Sequence, residues 1–312
     1  MSKPALRPFR FSVQTAQVQS ARQWAEGARE LEALGYSAVL MADTTGPTLS
    51  PMPALAVAAA STTRLRVSPY VLANDFRNPV LVAREVATLD FLTEGRAELG
   101  LGAGRPGVEA DNRHLGIRTD PVGVRGERLA ASVDIIARLF AGEKVTTAGP
   151  HYAIEEAELF PKPVQQPRPP ILIAAGGPRA LRRAAGQADI VTIGAPADLS
   201  PEGLAERVGW IREGAGERFH ALELNASVVA LPEGPEAAGA RQAATGYARY
   251  MGLDLDAVVA SGRPTPLLMA GSTDRMVEHL LELRETYGIS YVTVGGFAAR
   301  ALAPVVARLA GA

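Results

Sequence analysis

The 312-residue chain is 47% hydrophobic and 21% charged with a formal net charge of −1, a composition that can bury a sizeable core and supplies no field to attract nucleic acid or an anionic membrane. It contains no cysteine, which excludes disulfides, thiol nucleophiles and thiolate metal sites and fits a reducing cytoplasm. The N-terminal "MSKPALRPFRFSVQ" lacks the apolar core of a signal peptide, and no stretch reaches the roughly 18 apolar residues of a membrane span, so a cytoplasmic protein is expected.

Strand-like and helix-like segments alternate along the chain. "FRFSVQ" (9–14) alternates apolar and polar residues, and a helix follows with Trp24, Ala28, Leu31 and Leu34 on one face and Gly35 as its stop. The second strand, "SAVLMA" (37–42), ends abruptly in Asp43-Thr44-Thr45. Ser50-Pro51 and Asn78-Pro79 have the form of helix starts, with strand three (65–73) between those helices and strand four, "RAELGLGAG" (96–104), after them. A loop runs to Pro121, and Leu129, Val133, Ile136 and Leu139 mark the stripe of the next helix. Residues 141–170 are proline-rich with short β-like pieces and read as an insertion. Strand five (171–177) leads into a helix from Pro178, strand six (189–196) into one capped by Ser200-Pro201, and strand seven (221–231) into helices and loop at 235–266. A helix from Thr273 to Tyr287, strand eight (289–296) and a last helix complete the chain. Eight strands alternating with helices in a single domain predict a (β/α)₈ TIM barrel with insertions at about 141–170 and 235–266, its site at the C-terminal strand ends; a doubly wound sheet is the alternative.

Several chemistries are excluded. The three lysines, Lys3, Lys144 and Lys162, lie off the strands, which disfavours Schiff-base catalysis. The four histidines lack metal-ligand spacing, and no metal is expected; no GxSxG elbow is present. "GAGRPG" (102–107) matches GxGxxG formally, but no acidic residue follows at a strand end about 20 positions on. What remains is glycine at strand ends: Gly100, Gly102 and Gly104, then Gly176 and Gly177 before "PRALRRAA". Glycine admits close backbone approach to a flat or phosphorylated ligand, a helix N-terminus offers N–H groups to phosphate, and Arg179 adds a fork of donors.

The stretches "ARELEALGYSAVLMAD", "TTRLRVSPYVLANDFRNPVLVAREVATLDFLTEGRAELGLGAG", "AGEKVTTAGPHYAIEEAELFPKPVQQPRPPILIAAGGPRALRRAAGQADIV" and "GISYVTVGG" together resemble the bacterial luciferase-like flavin monooxygenase superfamily, and within it most the oxidoreductases that use the deazaflavin coenzyme F420. The resemblance implies the same barrel, with a flavin or deazaflavin ring over the strand ends and a non-proline cis peptide at about Tyr70–Val71. It further implies that Tyr70, Val71, Ala73 and Asn74 lie near the ring, that Gly102 and Gly104 leave it room, and that Gly176, Gly177, Pro178 and Arg179 meet the phosphate. Asp43 matches an acid that contacts the ring system in some deazaflavin enzymes. Many relatives carry a histidine next, as acid or base, where this chain has Thr44, a side chain too weakly acidic for that task. Asp43 and Thr44 are therefore the candidate catalytic pair, with the proton carrier open. Asn112, Arg113 and His114 read as exposed loop residues, and His151 and Tyr152 as part of a lid. The resemblance implies a homodimer acting on a small-molecule substrate by hydride transfer. The alternatives are an FMN-dependent, oxygen-using monooxygenase and a non-catalytic flavin-binding barrel.

Overall fold

The first half of the chain lays down β1 (Arg10–Gln14), α1 (Ala21–Ala33), β2 (Ala38–Met41), α2 (Pro51–Ala60), β3 (Arg66–Pro69), β4 (Leu72–Ala73), α3 (Pro79–Leu92), β5 (Leu99–Gly102), α4 (Val108–His114) and α5 (Val122–Phe140). The insertion supplies the hairpin β6 (Val145–Ala148) and β7 (Ala153–Ala157). The second half continues with β8 (Ile171–Ala175), α6 (Pro178–Gln187), β9 (Ile190–Ile193), α7 (Pro201–Ala215), β10 (Glu223–Ser227), β11 (Val229–Pro232), α8 (Ala237–Tyr250), α9 (Leu255–Ala260), β12 (Leu268–Gly271), α10 (Thr273–Tyr287), β13 (Ile289–Gly295) and α11 (Ala303–Leu309). This computed structural model describes residues 6–15, 20–105, 107–233, 237–250 and 253–312. Among them no helix is long and apolar enough to cross a membrane.

Local chemistry sets these boundaries. Asn78 accepts a hydrogen bond from the Val80 N–H and Pro79 occupies the first turn of α3; Ser200 accepts from Gly203 ahead of α7 in the same way. Gly35, at φ +88°, turns the chain out of α1, its left-handed backbone costing glycine nothing. Trp24, Ala28 and Leu31 form the buried stripe of α1.

The strands β3-β2-β1-β13-β10-β9-β8-β5-β4 form one parallel sheet. β3 and β4 are two halves of the expected third strand, broken at a cis Tyr70–Val71 peptide. Val67 bridges Ala97 just before β5, and β4 pairs with β5 at Leu72 and Leu101, so the sheet closes on itself as a (β/α)₈ barrel. The closure has a steric condition. A Cβ on Gly100 would lie 2.2 Å from the Pro69 carbonyl oxygen, and one on Gly102 would lie 2.7 Å from Val71 Cγ2.

Two expectations need correction. Strand seven is not continuous over 221–231: after Ser227 the chain leaves the barrel, and β11 pairs instead with β12, a strand absent from the sequence reading. The strand-like run "ASVVAL" continues straight through that exit. The loop before Pro121 also holds a helix, α4, whose Asp111 and Asn112 are buried.

The N-terminal end of the barrel is closed by charge. Glu98 is fully buried and accepts from Arg10 at 3.0 Å and Arg66 at 2.6 Å, while the Arg10 guanidinium lies 4.1 Å from the centre of the Tyr291 ring. Glu223 lies 3.4 Å from Arg10, and burial pushes its carboxyl upward. Arg66 also donates to Gln165 Oε1 at 2.6 Å. Buried Asp90 accepts from the Val164 and Gln165 N–H groups, which ties the insertion to this floor.

Gly100→Ala is expected to cost roughly 1–3 kcal/mol, because a backbone oxygen must move to admit the methyl group. Gly27→Ala, with no atom within 4 Å of the new Cβ on α1, is expected to add about 0.5–1 kcal/mol instead. Urea unfolding of both variants checks the contrast.

Candidate functional site

At the C-terminal end of β2 the backbone passes into Asp43-Thr44-Thr45, and each of these side chains is bonded across the barrel mouth. Asp43 accepts from Arg77 Nη1 at 2.5 Å and Nη2 at 3.2 Å, and from the Ala73 N–H at 3.1 Å. This bidentate pair fastens the end of β2 to the turn that follows β4. The Thr44 hydroxyl donates to Asp111 Oδ1 at 2.8 Å and accepts from the Gly46 N–H at 3.2 Å. The expected catalytic pair is thus committed to protein partners: Asp43 holds the turn carrying Ala73 and Asn74, and Thr44 caps a carboxylate on α4.

Asp111 is the organising group on this side. It is buried, and its Oδ1 accepts from the Thr44 hydroxyl, the Thr45 hydroxyl and the Thr45 N–H, all within 2.9 Å. Arg105 donates to Oδ2 at 2.9 Å. Burial alone would raise the carboxyl, but the three hydrogen bonds and the Arg105 charge outweigh it and hold Asp111 below the usual carboxylate range. Thr45 also meets His114 Nδ1 at 2.8 Å. His114, read from sequence as a bland loop residue, is therefore bonded into the site, and buried Asn112 donates to Thr119 at 2.7 Å.

The third strand faces inward. The Tyr70 hydroxyl donates to Asn225 Oδ1 at 2.8 Å and lies 3.0 Å from Ser227 Oγ. Asn225 also accepts from Thr192 and donates to Thr293 and the Tyr291 carbonyl. Tyr70 and Val71 pack on Leu172, Ile190 and Tyr291, so Val71 fills the space that Gly102 was expected to leave for a ring. Gly104 has φ +95°, and a Cβ there would lie 2.6 Å from Arg125 Nη1, so protein atoms account for this glycine too. Asn74 is buried and donates to the Tyr152 hydroxyl at 3.1 Å, which brings the insertion hairpin to the mouth.

A second region opens where β8 meets α6. A cavity of about 370 Å³ is lined there by Ala103, Gly126, Leu129, Ala175, Gly177 and Arg183, among others. A Cβ on Gly176 would lie 2.8 Å from the Gly194 carbonyl oxygen, whereas one on Gly177 would meet nothing within 4 Å. Pro178 heads α6, and no side chain caps the helix start, so the N–H groups of Arg179 and Ala180 face outward. The Arg179 side chain is mostly exposed and donates to Glu127 at 3.1 Å. Arg179 and Arg183 both line the cavity; Arg179 pairs with Glu127, and Arg183 has no ion-pair partner among the described residues. Gln187 lines it too, with a buried Oε1 that lacks a hydrogen-bond partner among the described residues. Among the described residues no group of acidic, His or Cys side chains could hold a metal ion.

Asp111, Thr45 and His114 are not among the site residues read from sequence, whereas Arg183 is read with Arg179 and Arg182 as able to serve the coenzyme's anionic tail. The first three meet across 66 and 69 positions, and no local spacing reports that contact. Arg183 stood in view as one of three arginines after Gly177, and only the ion pairs of Arg179 with Glu127 and Arg182 with Glu213 single it out.

Comparison with known proteins agrees with this architecture. The F420-dependent glucose-6-phosphate dehydrogenase of Microbacterium testaceum is 33% identical over 183 residues, covering 55% of this chain and 53% of that protein. The chain thus matches about half the length of such relatives. The coenzyme F420-dependent tetrahydromethanopterin reductase from Methanopyrus kandleri superposes with a TM-score of 0.78 at 20% identity, over 97% of this chain and 99% of that one. An F420-dependent secondary alcohol dehydrogenase superposes with a TM-score of 0.76 at 19% identity, over 96% of this chain and 99% of that one. At these identities the two structures establish the barrel fold. The family model described as luciferase-like monooxygenase matches residues 6–287, and with nine-tenths of its length so matched the chain belongs to the luciferase-like monooxygenase family.

Proposed function

We propose that this protein is a cytoplasmic oxidoreductase that transfers a hydride between coenzyme F420 and a small organic substrate. The observation that carries the reading is the cradle at the start of α6: an open cavity, a helix N-terminus with no side-chain cap and the Arg183 guanidinium, which has no ion-pair partner among the described residues, converge on it. These are the donors a phosphate needs. Dehydrogenases and reductases named as F420-dependent recur among the relatives and the similar structures, which supports the deazaflavin over FMN.

The bound deazaflavin supplies the hydride chemistry at its central ring carbon. The chain's residues bind and orient. The Gly177 backbone, the Arg179 and Ala180 N–H groups and Arg183 take the phosphate, with Gly176 and Pro178 shaping the turn. Ala73 and Asn74 would hold the ring and Tyr70 and Val71 would support it as a platform, with Gly102 letting Val71 lie close and Gly104 leaving room for Arg125 and Val108. Asp43 positions the platform through Arg77 and the Ala73 N–H. Thr44 and Thr45 face the substrate side. The segment 105–120, the insertion hairpin and residues 235–266 select the substrate.

The homodimer is proposed through α2 and α3. Val57, Leu81, Phe91 and Leu92 leave an exposed apolar face there, with a groove lined by Met52, Ala56, Leu81 and Leu89.

Three measurements check these readings. Fluorescence-quenching titrations should show micromolar or tighter binding of oxidised F420 and weak binding of FMN; the reverse preference would move the protein to the oxygen-using monooxygenases, and binding of neither ligand would sink the assignment. Arg183→Ala should weaken F420 binding about ten-fold, the scale of one charge-assisted hydrogen bond, with a smaller loss for Arg179→Ala. Light scattering should give a dimer mass for the wild type and a monomer mass for Leu81→Glu.

A further inference from the structure

The groove between α2 and α3 and the turn at the barrel mouth share one side chain. Arg77 lines the groove beside Met52, Leu81 and Leu89, and it donates through both Nη atoms to Asp43, which accepts the Ala73 N–H. The Arg77 side chain is 22% exposed against 6% for Asp43, so water reaches this pair from the arginine's side. Leu81, Arg84, Glu85, Thr88 and Leu92 also line the groove, at helical spacing on one face of α3. Arg84 and Glu85 are exposed, and neither side chain has an ion-pair or hydrogen-bond partner among the described residues. Two opposite charges side by side within an apolar stripe fit a two-fold copy of the same stripe. Arg84 of one chain meets Glu85 of the other, the reverse pair forms with it, and the leucines cover each other. A partner with charge of one sign would leave Arg84 or Glu85 unmatched in the covered groove.

We propose that the second copy completes the coenzyme site: by covering this groove it locks Arg77 onto Asp43, so that the turn carrying Ala73 and Asn74 is held for the ring only in the dimer. This rests on the dimer and coenzyme readings given above. In the single chain Arg77 has two carboxylates within its surroundings, Asp43 at the mouth and Glu85 in the groove, and water competes for both. In the dimer Glu85 is taken by Arg84 of the second copy and water leaves the groove. The bidentate bond to Asp43 is then stronger, because a charge-assisted hydrogen bond gains as the surrounding dielectric falls. Arg77 is a positioning residue: it acts on the ring through Asp43 and the Ala73 N–H. The coupling is reciprocal, so coenzyme bound at the mouth tightens the dimer by the factor with which the dimer tightens the coenzyme.

The test uses Leu92→Arg, which spoils the stripe roughly 16 Å along α3 from Leu81 and places no carboxylate near Arg77. Light scattering should give a dimer for the wild type and a monomer for this variant. Glu85→Arg should also give a monomer, and Arg84→Glu/Glu85→Arg should restore the dimer. Hydrogen exchange without coenzyme reads the mouth: the Ala73 amide should exchange about ten-fold faster in the Leu92→Arg monomer, with the Ala188 amide at the end of α6 unchanged. Oxidised F420 should bind that monomer about ten-fold more weakly. A monomer whose Ala73 exchange or F420 affinity matches the wild type overturns the coupling. A monomeric wild type, or Leu92→Arg and Glu85→Arg both remaining dimeric, overturns the interface and the proposal with it. A dimer that does not bind F420 overturns the coenzyme reading instead, and Ala73 exchange still decides whether groove and mouth are coupled. If Leu92→Arg also speeds Ala188 exchange, the whole fold has loosened, and the same comparison is made between Glu85→Arg and the restored double variant.

Discussion

Pro69–Val71 passes over Gly100 and Gly102 at van der Waals limits, and the barrel mouth is built around that crossing. The third strand has to leave the sheet at Tyr70 and rejoin it at Leu72, and it can do so only because β5 presents no side chain beneath the crossing. Val71 then fills the gap, Tyr70 turns its hydroxyl inward to Asn225, and Ala73 emerges with its N–H aimed at Asp43. Asp43 fixes that emergence through Arg77. The glycines that look from sequence like space for a ligand are space for the protein's own atoms: the Pro69 backbone over Gly100, Val71 over Gly102 and Arg125 beside Gly104.

The two ends of the barrel divide the work. The floor is ionic and closed, with Arg10, Arg66, Glu98 and Glu223 placed at strand starts where the chain needs only stability. The mouth is polar and open, with its groups at strand ends and in loops. Arginine dominates both. A planar guanidinium can bridge two acceptors at once, as Arg66 does between Glu98 and Gln165 and as Arg77 does across the Asp43 carboxylate. A chain with 29 arginines among its 32 basic residues and only Lys3, Lys144 and Lys162 as lysines has built its charge network almost wholly from this geometry.

Features with local causes were legible in the sequence. Asn78-Pro79 and Ser200-Pro201 start their helices as read, because a cap and a first-turn proline act within a few residues. Thr273 to Tyr287 is one helix as read, and the alternation of strands and helices gave the barrel. The cis Tyr70–Val71 bond came from family resemblance, since nothing in "SPYVLA" announces it to an unaided reader. What stayed hidden had distant causes. Asp111 is one more acid in a polar loop until the fold brings Thr44 and Thr45 to it. The exit of β11 from the barrel is decided by its pairing with β12, nearly forty residues later. The floor tie between Asp90 and Gln165 spans 75 positions.

The insertion 141–170 is tied at both ends of the barrel, to Asp90 and Arg66 at the floor and, through Tyr152, to Asn74 at the mouth. A segment fixed at two such points is a strut and not a free lid, and its length is a dimension of the site. Lengthening β6 and β7 by a residue pair would lift Tyr152 away from Asn74 by roughly 7 Å. Extra residues at the exposed Gly149-Pro150 tip would add loop without moving either tie. Divergence among proteins built this way has room at that tip, while the rails of the hairpin keep the measure of the barrel they run beside.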